Sequence, residues 1–94
     1  MTVALAKVPT AHAGRYLQQL CKHWGHKYPV EFTPEHGRIE MSAGVLLLDA
    51  GPEALSLNLA CEPETLARMQ GVVAEHLQRF AFKETLTFDW TPET

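Results

Sequence analysis

Apolar positions recur along this chain with two different periods, and the changes of period mark the elements. Val3, Leu5 and Lys7 alternate with Ala4, Ala6 and Val8 until Pro9, which predicts a short edge strand. From Thr10 the period lengthens. At about 100° per residue, Ala13, Leu17, Leu20, Cys21 and Trp24 fall on one stripe, with Tyr16 at its border. His12, Arg15, Gln19, Lys22 and His23 cluster opposite. The pattern predicts an amphipathic helix over Thr10–Gly25, with Thr10 as N-cap and Gly25 as a left-handed C-terminal stop. A helix running on through Gly25 would instead bring His26 beside His23, and Pro29 ends helical structure in either case.

The period then returns to two. Val30, Glu31 and Phe32 open a strand region, Thr33–Gly37 reads as a turn with Gly37 at a positive φ, and Arg38–Met41 alternates polar with apolar. Ser42-Ala43-Gly44 is a tight connection before the apolar run in Val45–Asp49, which suits a central strand. After the Gly51-Pro52-Glu53 turn, Leu55, Leu57 and Leu59 alternate with Ser56, Asn58 and Ala60. A second helix is expected over Pro63–Lys83, its stripe Leu66, Met69, Val73, Leu77 and Phe80. Thr85–Trp90 alternates again and predicts a closing strand. Linkers between the middle strands are too short for crossovers, so the hairpins must be antiparallel. The expectation is one α+β domain over residues 1–94, a two-layer sandwich of an antiparallel sheet with two helices on one face.

Composition narrows the partners. An apolar fraction of 46% suits a folded globular domain, and a formal charge of -3 without a Lys/Arg run gives no footprint for nucleic acid. No stretch approaches the roughly 20 apolar residues of a membrane span. The opening residues lack a basic leader with a long apolar core, so a cytoplasmic chain with two free, buried thiols is expected.

Histidine is the most conspicuous candidate for chemistry, at five residues. On a straight helix His12 and His23 stand about 16 Å apart and cannot share a metal. His23 and His26 would need a third ligand, and Cys21 points roughly 160° away from His23 into the apolar stripe. No metal site, catalytic group or resident cofactor is therefore predicted, with iron or haem kept open as a ligand. The candidate ligand- or partner-binding residues are His12, Arg15, Gln19, Lys22, His23 and His26, with His76 and Arg79 secondary. The sequence holds no G-x-G-x-x-G, Walker loop, G-x-S-x-G or H-E-x-x-H. A binding module is the leading expectation. The alternatives are a structural or self-associating domain, such as a homodimer, and a small thiol enzyme using Cys21 or Cys61.

P-T-A-H-A-G-R-Y-L-Q-Q-L-C-K-H-W-G-H-K at Pro9–Lys27, G-R-I at Gly37–Ile39 and E-H-L-Q-R-F-A-F-K-E at Glu75–Glu84 together resemble a small bacterial family known as domain of unknown function 2218. The resemblance spans essentially the whole chain. It implies an association with flavin-dependent siderophore-interacting proteins, hence an accessory role in iron acquisition with such a reductase as partner. It supplies no catalytic role for any residue.

Overall fold

The computed structural model describes residues 1–93. Its elements are β1 (Thr2–Pro9), α1 (Ala13–Trp24), β2 (Val30–Phe32), β3 (His36–Met41), β4 (Gly44–Ala50), β5 (Ala54–Cys61), α2 (Pro63–Phe80) and β6 (Thr91–Pro92). The six strands form one sheet in the order β2-β3-β4-β5-β1-β6, antiparallel throughout. This is the expected α+β architecture.

Alternation places the core on one side. Ala6 and Val8 of β1, Ile39 and Met41 of β3, Leu46 and Leu48 of β4, and Leu55, Leu57, Leu59 and Cys61 of β5 are buried. Ala13, Leu17, Leu20, Cys21 and Trp24 of α1 and Met69, Val73 and Leu77 of α2 cover them. α1 lies over β2 to β5, and α2 over β5 and β1. The opposite sheet face carries Lys7, His36, Arg38, Glu40, Asp49 and Ser56, all exposed. A sheet covered on one side is the reason its strands alternate.

Two glycines permit close approaches, one between the layers and one between neighbouring strands. A Cβ on Gly37 would stand 2.9 Å from the Cys21 Sγ, so α1 could not sit where it does over a larger residue. A Cβ on Gly44 would fall 2.1 Å from the Ala60 carbonyl oxygen. Gly37 is therefore needed for close approach inside β3. Its predicted role at a positive φ is not observed, and no glycine among the described residues has a positive φ.

Other expectations are corrected by competing hydrogen bonds. α1 starts at Ala13, with His12 at the N-cap position and no side-chain cap. Thr10 is held back because its amide donates to the Glu53 carbonyl at 3.0 Å and its hydroxyl to Glu84 at 3.0 Å. Its Oγ1 accepts the His12 amide at 3.1 Å, in the turn before the helix. At the other end Gly25 is right-handed, with φ -62° and ψ -18°. The amides of Lys27 and Tyr28 both return to the Trp24 carbonyl, closing a turn that excludes His26 from the helix.

β1 is an edge only in part, since β6 pairs with it at Ala4 and Leu5. α2 ends at Phe80, short of Lys83, and Thr85–Trp90 forms no ladder. Gln78 explains both departures. Its Nε2 donates to the Ala81 and Glu84 carbonyls at 3.0 and 2.8 Å, and its Oε1 accepts the Leu86 amide at 2.8 Å. The side chain thus takes over backbone partners that a longer helix or strand would have supplied. Alternation survives in burial alone, with Leu86 buried and Thr85, Thr87 and Asp89 exposed. No helix among the described residues is long and apolar enough to cross a membrane.

Candidate functional site

The polar flank of α1 does not face open solvent along its whole length. The loop that follows α2 folds back against its first two turns, and the two segments enclose a recess of about 250 Å³. His12 at the N-cap and Arg15 and Gln19 of α1 contribute from one side, Phe82 and Lys83 from the loop, and Tyr16 and Glu84 form one wall. Phe80, the last residue of α2, completes it.

The wall is fixed by a bond between distant parts of the chain. Tyr16, on the border of the apolar stripe, is only 4% exposed, and its hydroxyl donates to the Glu84 Oε2 at 2.5 Å. The Thr10 hydroxyl donates to the same oxygen at 3.0 Å. Burial raises the Tyr16 phenol above its usual range, and the neighbouring carboxylate adds to the shift. The hydroxyl bonds from Tyr16 and Thr10 hold the Glu84 carboxyl below its usual range. Glu84 is thus an ionised, hydrogen-bonded strut.

The cations of the recess are differently placed. Arg15 and Lys83 line it, yet neither joins an ion pair among the described residues. Lys83 Nζ lies 5.8 Å from the centre of the Phe82 ring, and Phe82 is 79% exposed. An apolar ring held in water beside two uncommitted cations is a surface with unused binding capacity. Gln19, expected on a solvated face, is half-buried, and its Oε1 is covered without a hydrogen-bond partner.

Further along the same seam, His23 stands over α2. Its ring centre is 5.7 Å from that of His76 and 6.0 Å from that of Phe80, and Trp24 closes on His76 at 5.0 Å. His76 Nδ1 donates to the Val72 carbonyl at 2.8 Å, the backbone bond expected of a partly buried histidine.

The candidate residues thus divide. His12, Arg15 and Gln19 share the recess, and His23 meets His76. Lys22 in the last turn of α1 and His26 in the following turn are exposed and line no part of the recess. Arg79 ion-pairs with Glu75 on the outer side of α2. Phe82, Lys83 and Glu84 were missed as site residues, because the F-K-E run reads as a continuation of α2 and gives no sign that the chain turns back. His36, within the stretch read as a turn, is exposed and opens β3, where it ion-pairs with Asp49 of β4, an adjacency set by strand register. Hollows of about 580 and 540 Å³ on the uncovered sheet face are larger, but they are broad and open and their ionic groups include this pair.

Both cysteines are in the core. Cys21 is 1% and Cys61 0% exposed, and burial pushes the Cys21 thiol up to about 11 and raises that of Cys61. No group of three or more His, Cys, Asp or Glu side chains able to hold a metal is found among the described residues.

Fold and recess define a small antiparallel α+β sandwich with a cationic, aromatic-rimmed hollow between its first helix and the loop after its second. The chain belongs to the family of uncharacterised proteins conserved in bacteria known as domain of unknown function 2218, whose model matches residues 5–91. It is similar to PA4090 from Pseudomonas aeruginosa, solved by NMR. The two chains share 44% identity with a TM-score of 0.81, over 98% of this chain and 97% of that one. Among curated proteins no sequence matches.

Proposed function

We propose that this domain is a binding module whose recess takes a small anionic ligand with an aromatic or apolar body. The observation behind the reading is the pair Arg15 and Lys83, uncommitted to any acid and set beside the exposed Phe82 ring. The one carboxylate in the recess, Glu84, is already occupied by two hydroxyls. A ligand carboxylate or phenolate would pair with the two cations while its ring lies on Phe82.

An anionic siderophore meets that description, and an accessory role in siderophore-dependent iron acquisition is the physiological form of this reading. In that role a siderophore-interacting flavoprotein is the partner, and iron or haem is cargo. The thiol-enzyme alternative loses support, because neither sulfur reaches water and burial holds both thiols protonated. Calorimetric titration with salicylate and with a ferric catecholate siderophore tests the proposal. Binding to the wild type that weakens at least tenfold in an Arg15→Ala/Lys83→Ala variant supports it. Absence of binding by the wild type sinks it.

Self-association remains a second reading, favoured by Leu47, which is 39% exposed on the uncovered sheet face between Arg38 and Asn58. It requires a dimer whose concentration dependence shifts in Leu47→Glu. A monomer at high micromolar concentration removes it.

A further inference from the structure

His23 and His76 come from different helices, and the anion recess uses neither. Their ring centres are 5.7 Å apart with an interplanar angle of 43°. With a metal–nitrogen bond of about 2.0–2.1 Å, two imidazoles on one metal stand roughly 4.5 Å apart, centre to centre, at the cis angle of an octahedral or square-planar site and roughly 5.2 Å apart at the tetrahedral angle. The observed spacing is longer than either, so ligation draws the exposed His23 toward His76.

The tautomer of His76 is also suited to ligation. A carbonyl oxygen can only accept, so the bond to Val72 places a proton on Nδ1 and leaves the Nε2 lone pair free in the neutral ring. A backbone carbonyl on the far nitrogen is the usual outer partner of a metal-bound histidine, fixing ring orientation and raising basicity. His76 is half-buried against Trp24, which limits its movement, while His23 is exposed and free to adjust.

We propose that His23 and His76 form a two-imidazole site for a late first-row divalent cation, with Ni(II) and Cu(II) bound more tightly than Co(II). The cation would clip α1 to α2. The described residues supply no third His, Cys, Asp or Glu ligand, so the other positions go to water or to donor atoms of a chelating molecule. Phe80 touches His23 and also lines the anion recess, so the two sites are neighbours on one seam while using different ligating side chains. The metal site does not rest on the recess being occupied.

The test uses the full untagged chain, titrated by calorimetry with Ni(II) and with Co(II), which should bind more weakly, with tryptophan fluorescence followed in parallel. One equivalent of Ni(II) should bind and quench Trp24, whose ring centre is 5.0 Å from that of His76. His23→Ala, a change at an exposed position, should weaken binding at least tenfold and abolish the quenching. His76→Gln, checked by circular dichroism for an intact fold, should do the same, whereas His36→Ala on the opposite sheet face should not. Binding of equal strength in wild type and His23→Ala would overturn the site, as would no saturable binding to the wild type. Either result would leave His23 and His76 as an aromatic contact and nothing more.

Discussion

Tyr16 and Glu84 are 68 residues apart in the chain, and the Tyr16 hydroxyl donates to the Glu84 carboxylate at 2.5 Å. This bond ties α1 to the loop after α2 and so shapes the recess. Tyr16→Phe deletes a hydrogen bond to a charged acceptor and should destabilise the fold by about 1–2 kcal/mol near neutral pH. Chemical denaturation of the two proteins side by side checks this.

The pH dependence follows from the two shifts. Glu84 has a folded-state pKa below its ordinary value of 4.5, so its contribution is present above that pH and is lost as acid protonates the folded carboxyl. Tyr16 is shifted upward, so its contribution is intact below its ordinary value of 10.0 and falls as pH rises through the higher folded value. Glu84→Gln should therefore be less stable than wild type at pH 7, with the gap narrowing below pH 4. A gap that stays constant into acid would show that the carboxylate is not the stabilising form.

Two glycine substitutions should act in opposite directions. Gly71 lies exposed inside α2, and a Cβ built on it meets nothing within 4 Å apart from its own helix backbone, so Gly71→Ala should stabilise by about 0.5–1 kcal/mol through helix propensity. Gly37→Ala would set its methyl 2.9 Å from Cys21 Sγ and 3.3 Å from Leu48, and should destabilise by about 1–3 kcal/mol through overpacking. Midpoints of thermal unfolding that move together would contradict the packing of α1 on β3.

Leu20 and Leu77 are both 0% exposed, one from each helix. Replacing either with alanine should cost about 2–4 kcal/mol. A loss below about 0.5 kcal/mol in urea would place the core elsewhere. Thiol labelling of the folded protein near neutral pH should be slow at both Cys21 and Cys61 and should accelerate on unfolding.

Much of this fold was legible because its signals are local. The stripe from Ala13 to Trp24 and the alternation from Leu55 to Leu59 each name a buried face without reference to the rest of the chain. What was not legible depends on long-range hydrogen bonds. Thr10 has the chemistry of an N-cap, but Glu53 and Glu84 claim its amide and hydroxyl first. Thr85–Trp90 has strand alternation, but Gln78 holds the Leu86 amide. The site followed the same rule. The polar flank of α1 was visible as a candidate surface, whereas Phe82, Lys83 and Glu84 became part of it only because Gln78 turns the chain back. The meeting of His23 with His76 depends on how α1 and α2 cross, which no spacing within either helix reveals.

The central claim, that the recess between α1 and the loop after α2 binds an aromatic anion, is tested most directly by following backbone amide NMR signals during titration with salicylate. The account predicts saturable shifts confined to residues 11–19 and 80–84, lost in Arg15→Ala/Lys83→Ala. Shifts centred on Lys7, Asp49 and Ser56 of the uncovered sheet face, or no shifts at millimolar salicylate, would contradict it.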